Sequence, residues 1–269
     1  MHYYSNFFIY SENLIHAVMY LDQMNIVHFD ISLKNIRVNE DTNKAIIIDF
    51  GMSIIIDNLI TNSDMKGNVT GFNPSLLKMY FSINPITSPK YCFETQLLCF
   101  INFNYDDFNK TFSDSDFKSI IQKYYTKNQL FYLFTTEFKD AYITDIYKIY
   151  SPYVGKPVKN LICACLTTWR TWDSFNLHFH FITLLYNMDS FNLLTLQMIE
   201  LSMRQIHSNP NKRLSTPKVI ESYYKILDNQ SIGDALQYKT LIQEMNYKKV
   251  KYSFDSSYNA LHSYQPQKK

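Results

Sequence analysis

Two short strings near the start of the chain constrain it more than any other feature. The first is HFDISLKN at residues 28–35, and the second is IDFG at residues 48–51, where an apolar run ends. Asp30 and Asn35 are five residues apart on a stretch that predicts a tight loop, and Asp49 follows Asp30 by nineteen residues. A loop followed by a short hairpin can bring these three side chains together.

The residue types in the two strings suit metal-assisted phosphoryl transfer. That reaction asks little covalent work of a protein, but it needs a positioned acceptor hydroxyl and neutralised phosphate charge. Mg²⁺ takes oxygen ligands and keeps several waters, so Asn35 and Asp49 can hold it together with nucleotide phosphates. Asp30 is then free to accept the proton of the attacking hydroxyl, and Lys34 can offset the developing phosphate charge.

The same strings resemble the catalytic loop H-R-D-x-x-x-x-N and the metal loop D-F-G of eukaryotic-type protein kinases. The chain therefore looks like the C-terminal lobe of such a kinase, with ATP and Mg²⁺ as cofactors. The resemblance makes Asp30 the catalytic base and makes Asn35 and Asp49 the metal and nucleotide ligands. It implies structural roles for the other motif positions: His28 as a core histidine behind the loop, Phe50 as a packing residue, and Gly51.

Three further strings follow in the order of the family. SPKYCFE at 88–94 resembles the end of the activation segment, with CFE where the family has A-P-E. TWDSFNL at 171–177 resembles the D-x-[WFY]-S-[LF]-G start of a long buried helix, and NPNKR at 209–213 resembles D-P-x-x-R. In the family that arginine pairs with the glutamate, so the resemblance implies a buried ion pair between Glu94 and Arg213. Both residues, like Asp173, are expected to be structural.

Two positions depart from the family pattern. Phe29 stands where the family has the arginine that contacts a phosphorylated activation loop, so phosphate between residues 51 and 94 is not expected to switch activity through residue 29. Ser32 occupies the position of a lysine in serine/threonine kinases, and Lys34 follows two residues later, as in many receptor tyrosine kinases. The rest of the chain favours serine or threonine as the acceptor.

A complete kinase carries a smaller, β-rich lobe before its catalytic loop, with a glycine-rich segment over the phosphates. Here 27 residues precede His28, and the five glycines form no G-x-G-x-x-G. We therefore expect a mainly α C-terminal lobe in which the N-terminal lobe is largely absent. The chain would then be a fragment, a lobe completed by a partner, or a pseudokinase, and the sequence leaves these three open.

Periodicity and turn residues predict the organisation of the lobe. A helix with its N-cap at Ser11 should lead to the catalytic loop. Strands at 36–38 and 45–48, joined by a turn at 39–43, should form the short hairpin that carries the catalytic and metal loops. Residues 51–94 are expected to be a loop-like activation segment, and residues 95–170 to be a helical insert of two or three helices.

The last third of the chain predicts a buried helix and then a tail. The run from Phe175 to Met188 is too apolar for a surface helix, so it should be the central one. His178 and His180 are two residues apart, so they do not share a helix face and are not expected to form a ligand pair. The kinase-like lobe is expected to span 1–247, with a disordered polar tail at 248–269.

The insert carries acidic residues for which two interpretations stay open. They can be solvated helix starts and loops, which we expect, or they can dock a basic substrate. The residues are Asp106, Asp107, Asp114 and Asp116.

The composition of the chain limits where the protein can be located and which partners it can bind. The net charge of +2 comes without a basic stripe, which argues against nucleic acid as a partner. The four cysteines lack zinc-site spacing and predict reduced thiols. No apolar run reaches the roughly 18 residues that span a bilayer, and the first ten residues lack the basic start of a signal peptide. A soluble cytoplasmic protein without a membrane partner is expected.

The chain is rich in Ile, Asn, Tyr, Phe and Lys, which is typical of an AT-rich coding sequence. With the strings at 91–94 and 171–173, this composition makes the chain resemble the serine/threonine kinases of large nucleocytoplasmic DNA viruses. That resemblance implies the host cytoplasm or the virion as the location.

Three functions follow from the sequence. The leading hypothesis is ATP- and Mg²⁺-dependent phosphoryl transfer to serine or threonine of a protein substrate, with a complementing lobe or a regulatory protein as a further partner. The second is a pseudokinase that acts as a protein-binding module. The third is a small-molecule phosphotransferase, because aminoglycoside-type kinases share the H-x-D-x-x-x-x-N loop. The strings around Glu94, Asp173 and Arg213 argue against the third.

Overall fold

A computed structural model describes residues 2–39, 41–42, 44–83, 90–187 and 193–228. These residues are mainly helical, and their β-structure consists of three two-stranded antiparallel sheets. The strands are β1 (Ile26–Val27), β2 (Ile36–Asn39), β3 (Lys44–Ile47), β4 (Ile54–Ile55), β5 (Ile60–Ser63) and β6 (Val69–Phe72). The helices are α1 (His2–Gln23), α2 (Ile56–Leu59), α3 (Pro74–Tyr80), α4 (Phe93–Asn104), α5 (Asp114–Lys127), α6 (Thr136–Tyr150), α7 (Val158–Leu166), α8 (Trp172–Tyr186), α9 (Leu193–Gln205) and α10 (Thr216–Asp228).

Helix α1 is longer than the sequence predicts. Ser11 is not its N-cap, because the helix already runs from His2 and Ser11 lies buried in its interior. Phe7 and Phe8 are buried, and the Phe7 ring meets the edge of Phe181 on α8. The start of α1 is therefore determined by tertiary packing of its apolar face, which stabilises most protein helices more than local propensity does.

The predicted hairpin is confirmed as β2 and β3. Ile36 pairs with Ile47, and Asn39 pairs with Lys44. The backbone N–H of Ala45 donates to Asn13 Oδ1 at 3.1 Å, which fastens the hairpin to α1. Residues 40 and 43 of the connecting turn lie outside the described residues.

The prediction that residues 51–94 are loop-like is wrong for 54–80. This stretch contains β4, which pairs with β1, then α2, the β5–β6 hairpin and α3. Two residues of types that usually interrupt regular structure are turn and cap residues here: Gly67 has a φ of +81°, and Pro74 occupies the first turn of α3 behind the N-cap Asn73. Residues 84–89 of this segment lie outside the described residues.

Residues 93–166 form four helices, α4 to α7, so the prediction of two or three inserted helices is wrong. The region is also no appendage, because every residue of α4 from Phe93 to Ile101 is buried. Helix α4 packs against α5 and α7 and so belongs to the core. An element that contributes this much buried surface is part of the hydrophobic stabilisation of the fold.

Two of the four acidic residues, Asp114 and Asp116, belong to local structure at the start of α5. Asp116 accepts hydrogen bonds from Tyr105 Oη at 2.5 Å and from Ser113 Oγ at 2.7 Å. Asp114 pairs with Lys118 one turn later on the exposed face. Carboxylates in the first turn of a helix interact favourably with its dipole, in agreement with their interpretation as helix starts.

Helix α8 is the central buried helix that the sequence predicts, although it begins at Trp172 rather than at Phe175. It packs against α1 and α9, and the buried apolar side chains around it form one continuous cluster. The predicted tail at 248–269 lies outside the described residues. Among the helices of the described ranges, none combines the length and the apolar character needed to cross a membrane.

Candidate functional site

The catalytic-loop string is anchored by Asp173 at the start of α8. Asp173 Oδ2 accepts the backbone N–H of His28 at 2.6 Å, and Oδ1 accepts the N–H of Phe29 at 3.0 Å. Phe29 has a φ of +67°, a left-handed conformation that is rare for a non-glycine residue. Burial raises the pKa of the Asp173 carboxyl to about 7, and the two N–H donors act against that rise. Asp173 therefore holds the loop in an otherwise unfavourable conformation.

His28 connects the two sequence strings through the two nitrogens of its ring. It is fully buried, its Nδ1 accepts the N–H of Asp30 at 3.3 Å, and its Nε2 donates to the carbonyl of Ile48 at 3.1 Å. These partners define the neutral tautomer with the proton on Nε2, and burial lowers the pKa of the ring. His28 is thus the core histidine that the sequence predicts.

Asn35 and Asp30 form one hydrogen-bonded unit. Asn35 Nδ2 donates to the Asp30 carbonyl and to Asp30 Oδ2, each at 2.9 Å. The amide oxygen of Asn35 is therefore the atom of this side chain that can meet a cation. The backbone N–H of Ile48 donates to the Asn35 carbonyl at 2.9 Å, which brings Asp49 next to this unit.

Asp49 lies exposed beyond the end of β3, with a φ of +66°. Its Oδ1 accepts the N–H of Gly51 at 3.4 Å, and a Cβ on Gly51 would come within 3.3 Å of that oxygen. Glycine at 51 thus permits the close approach. Phe50 places its ring against His28, with 4.8 Å between ring centroids, but is 49% exposed, so it packs on one side only.

The oxygen atoms of Asn35 and Asp49 fit a hard divalent cation. One amide and one carboxylate suffice for Mg²⁺ when phosphate oxygens and water complete its octahedron. No cluster of three or more His, Cys, Asp or Glu that could hold a metal occurs within the described part of the chain. A cation held by Asn35 and Asp49 would need further oxygen ligands from water or from a bound molecule.

Sequence reasoning missed one residue of this site, Lys90. Its Nζ lies 2.5 Å from Asp30 Oδ1, and the side chains are 19% and 27% exposed. Lys34, the lysine that the loop itself suggests, is exposed on the short helical turn at 33–35. Lys90 is sixty residues from Asp30, so local spacing could not reveal the contact, and the lysine before the YCFE string at 91–94 was the sole hint.

The predicted ion pair between Glu94 and Arg213 is confirmed. Arg213 Nη2 donates to Glu94 Oε1 at 3.0 Å and to Oε2 at 3.3 Å, and both side chains are 0% exposed. The other guanidinium nitrogens donate to the His207 carbonyl and to Thr171 Oγ1. Desolvation acts to lower the pKa of Arg213, but Glu94 and its other neighbours outweigh it, so the net shift is upward. This pair joins the start of α4 to the segment before α10.

Phe29 connects the loop to the chain that leads into α4. Its buried ring stacks on Tyr91 at 5.0 Å and meets the edge of Phe81 at 5.4 Å. The position where the family has an arginine is therefore part of an aromatic core. The prediction about phosphate on residues 51–94 stays a prediction.

The two histidines of α8 do not form a pair, as the sequence predicts. His178 Nδ1 contacts Ser202 Oγ at 3.0 Å, whereas His180 Nε2 donates to the Ile31 carbonyl at 3.2 Å. Burial lowers the pKa of His178 to about 3 and that of His180 to about 4. Both therefore support the loop and the core as neutral side chains.

The chain matches no protein-family model, no curated protein and no solved structure in comparisons with all three. Its functional interpretation therefore depends on the motifs and on the geometry described above.

Proposed function

We propose that this chain catalyses Mg·ATP-dependent phosphoryl transfer to a serine or threonine hydroxyl of a protein, as part of a kinase-like C-terminal lobe. The observation that carries the proposal is the unit of Asp30 and Asn35, in which one amide nitrogen bonds both to the carbonyl and to the carboxylate of Asp30. This arrangement orients the Asp30 carboxylate, and the amide oxygen of Asn35 would be the atom available to a cation. General-base catalysis and metal binding need those two features side by side.

Two supports lie outside the loop itself. Asp173 binds two successive N–H groups of the loop, and Glu94 and Arg213 form a buried pair between distant segments. The kinase resemblance implies the ion pair but not the Asp173 bonds, and both contacts join residues more than a hundred positions apart. An accidental match of short strings would not explain this agreement in three dimensions.

The chain's own residues have distinct tasks in the proposed reaction. Asp30 accepts the proton of the attacking hydroxyl, and Asn35 holds the Asp30 carboxylate in one orientation. The amide oxygen of Asn35 and the carboxylate of Asp49 would bind Mg²⁺. The ion, when bound, would neutralise phosphate charge and orient the nucleotide. His28 stays neutral and ties the Asp30 loop to the strand that ends before Asp49.

The proposal is tested by measuring transfer of the terminal phosphate of Mg·ATP to a generic protein substrate and to the chain itself. Asp30→Asn and Asp49→Ala should each reduce transfer at least about 100-fold, because they remove the base and a metal ligand. Lys34→Ala should slow transfer less. Glu221→Ala, which removes an exposed carboxylate on α10, is the matched control and should leave transfer unchanged.

The outcome that contradicts the proposal is equally defined. Turnover like that of the wild type in Asp30→Asn would remove the base assignment. Transfer to a small-molecule alcohol but never to protein would favour the small-molecule phosphotransferase over the protein kinase.

A second candidate function is protein binding without catalysis. Six apolar side chains near the hairpin and the Asp49 turn are more than one third exposed, which is typical of a contact surface: Leu33, Val38, Ile46, Phe50, Met52 and Ile55. The change in melting temperature on adding Mg·ATP separates the two functions. A folded chain without such a change would favour the binding module.

The proposed partners and location follow from the proposed reaction. A protein substrate is required, and a complementing lobe or a regulatory protein would cover the exposed apolar side chains. We propose the cytoplasm, or the host cytoplasm or virion if the source is a virus. Neither nucleic acid nor a membrane is proposed as a partner.

A further inference from the structure

The contact between Lys90 and Asp30 brings a fixed positive charge to the proposed catalytic base. Asp30 has both carboxylate oxygens engaged: Oδ1 with Lys90 Nζ and Oδ2 with Asn35 Nδ2. Each carboxylate oxygen can accept more than one hydrogen bond, so a substrate hydroxyl can still reach Asp30. Lys90 is then within a few ångströms of the place where that hydroxyl would attack the terminal phosphorus.

The residue that follows Lys90 is anchored in the core. Tyr91, the next residue, is buried, and its ring stacks on Phe29 of the catalytic loop. The carbonyl of Tyr91 accepts hydrogen bonds from Gln96 at 3.3 Å and from Asn128 at 3.0 Å. Lys90 Nζ also lies 5.5 Å from the centre of the Tyr91 ring. A flexible side chain on a fixed base can move its ammonium by a few ångströms without moving the loop.

The other groups that face Lys90 do not compete with its charge. His28 is buried and His180 is partly buried, and burial lowers the pKa of each ring, so both are neutral near pH 7. Lys90 is therefore the cation that meets Asp30 at this point of the described structure. Because both side chains are more than two thirds buried, solvent screens the charge less than at an open surface.

We propose that Lys90 is a catalytic residue that binds the transferring phosphoryl group. The sequence alone assigns this role to Lys34, the lysine within the loop. This inference rests on the proposed function. During the step the acceptor oxygen forms a bond to the terminal phosphorus of ATP, and the bond from that phosphorus to the ADP oxygen breaks. Asp30 takes the hydroxyl proton and ADP leaves. Lys90 keeps its proton and redirects one N–H from Asp30 Oδ1 to an oxygen of the transferring group.

This role has a physical advantage over a permanent ion pair. Charge accumulates on the phosphoryl oxygens in the transition state, and a positioned N–H donor stabilises it there most strongly. Before substrate arrives, the same ammonium holds the Asp30 carboxylate in place. The residue therefore serves the resting site and the reacting site with one short movement.

The test combines transfer rates with nucleotide binding in Lys90→Met and Lys90→Arg. Lys90→Met should lower kcat by about 100-fold or more, the usual effect of losing one such donor. Its affinity for Mg·ADP should stay within about twofold of the wild type, because ADP lacks the terminal phosphate. The extra affinity of the wild type for a non-hydrolysable Mg·ATP analogue over Mg·ADP should disappear. Lys90→Arg should recover part of both losses.

Lys118→Met is the matched control, since Lys118 also pairs with an aspartate but lies exposed on α5, away from the site. It should leave transfer and binding unchanged. Circular dichroism and melting temperature establish that each variant is folded. If Lys90→Met does not fold, Lys90→Arg still tests the role of Lys90.

The outcomes separate this inference from the proposed function. If Asp30→Asn abolishes transfer while Lys90→Met turns over like the wild type, the proposed function stands and the role of Lys90 is overturned. Faster transfer in Lys90→Met would also overturn the role of Lys90, because Lys90 would then inhibit Asp30. A wild type that binds neither nucleotide would overturn both. Loss of the terminal-phosphate affinity in Lys90→Met supports the role of Lys90 even if no protein substrate is found.

Discussion

The chain holds two carboxylate–cation pairs that differ mainly in their surroundings. Glu94 and Arg213 are fully buried, and every guanidinium nitrogen has a partner. Asp30 and Lys90 are about one quarter and one fifth exposed, so water and a ligand can reach them. A buried pair resists change because separating it strands a charge, whereas a partly exposed pair can exchange partners. The same chemistry thus stabilises the fold in one place and is available for the proposed catalysis in the other.

The largest expected effect is on the buried pair. Glu94→Ala should destabilise the fold by about 3 to 5 kcal/mol, because Arg213 keeps its charge without its carboxylate. Denaturant unfolding at pH 7 measures this loss. Glu200→Ala, which breaks an exposed pair with Arg204 on α9, is the control and should cost below about 1 kcal/mol. Comparable losses in the two variants would contradict the distinction between buried and exposed pairs.

Lowering the pH should destabilise the fold through two histidines of α8, His178 and His180. The pKa values of His178 and His180 are about 3 and 4, below the ordinary 6.5, so the folded state binds fewer protons than the unfolded state. Their stabilisation is complete above pH 6.5 and is lost as the pH falls towards those values. Between pH 6.5 and 5 each should cost about 1.4 kcal/mol per pH unit.

Unfolding midpoints measured across that range give the slope of the unfolding free energy against pH. The variant His178→Gln tests the share of this slope that comes from His178. Glutamine offers Ser202 a polar partner but does not titrate, so the slope should become shallower by the share of one histidine. An unchanged slope in His178→Gln would show that His178 does not contribute.

A smaller effect is expected where a buried carboxylate meets the open site. Asp173→Asn removes one of two acceptors for the N–H groups of His28 and Phe29, which should cost about 1 to 3 kcal/mol. Transfer should fall as well, because the loop loses its anchor. Asp57→Asn, an exposed carboxylate bonded to Asn25, is the control for unfolding. Full stability with full transfer in Asp173→Asn would contradict the anchoring role.

The smallest effect on stability is expected at the partly exposed pair of Asp30 and Lys90. Asp30→Asn should change the free energy of unfolding by less than about 1 kcal/mol, since partly solvated pairs contribute little. Transfer should nevertheless be lost. Measured together, unfolding and transfer would separate Asp30→Asn, which loses transfer but keeps its stability, from Glu200→Ala, which is mild in both. A loss of stability as large as that of Glu94→Ala would remove the comparison altogether.

The parts of the site that lie close in sequence were predictable. The β2–β3 hairpin follows from two apolar runs around polar turn residues, and it brings Asn35 towards Asp49. The buried pair of Glu94 and Arg213 followed from the resemblance of their strings, since no local pattern connects residues 119 positions apart. Asp173 was expected to be structural, but its two bonds to the loop could not be derived from spacing.

The misses have a common physical cause, which is tertiary packing. Ser11 has the residue type of an N-cap, but the burial of Phe7 and Phe8 extends α1 past it. Gly67 and Pro74 suggested loop, although each serves a turn or a cap within regular structure. Lys90 carried little signal of its own, because its contact with Asp30 joins residues sixty positions apart.

The bond between Asp173 and the His28 loop also orders events during synthesis. The two partners are 145 residues apart, so the loop is translated long before its anchor exists. At ribosomal speeds the delay is roughly 7 to 29 s, far longer than the closure of a local hairpin. The nascent chain therefore passes through a period in which β2 and β3 can pair while the Phe29 backbone is unrestrained. A competent loop is acquired only when α8 has emerged and docked.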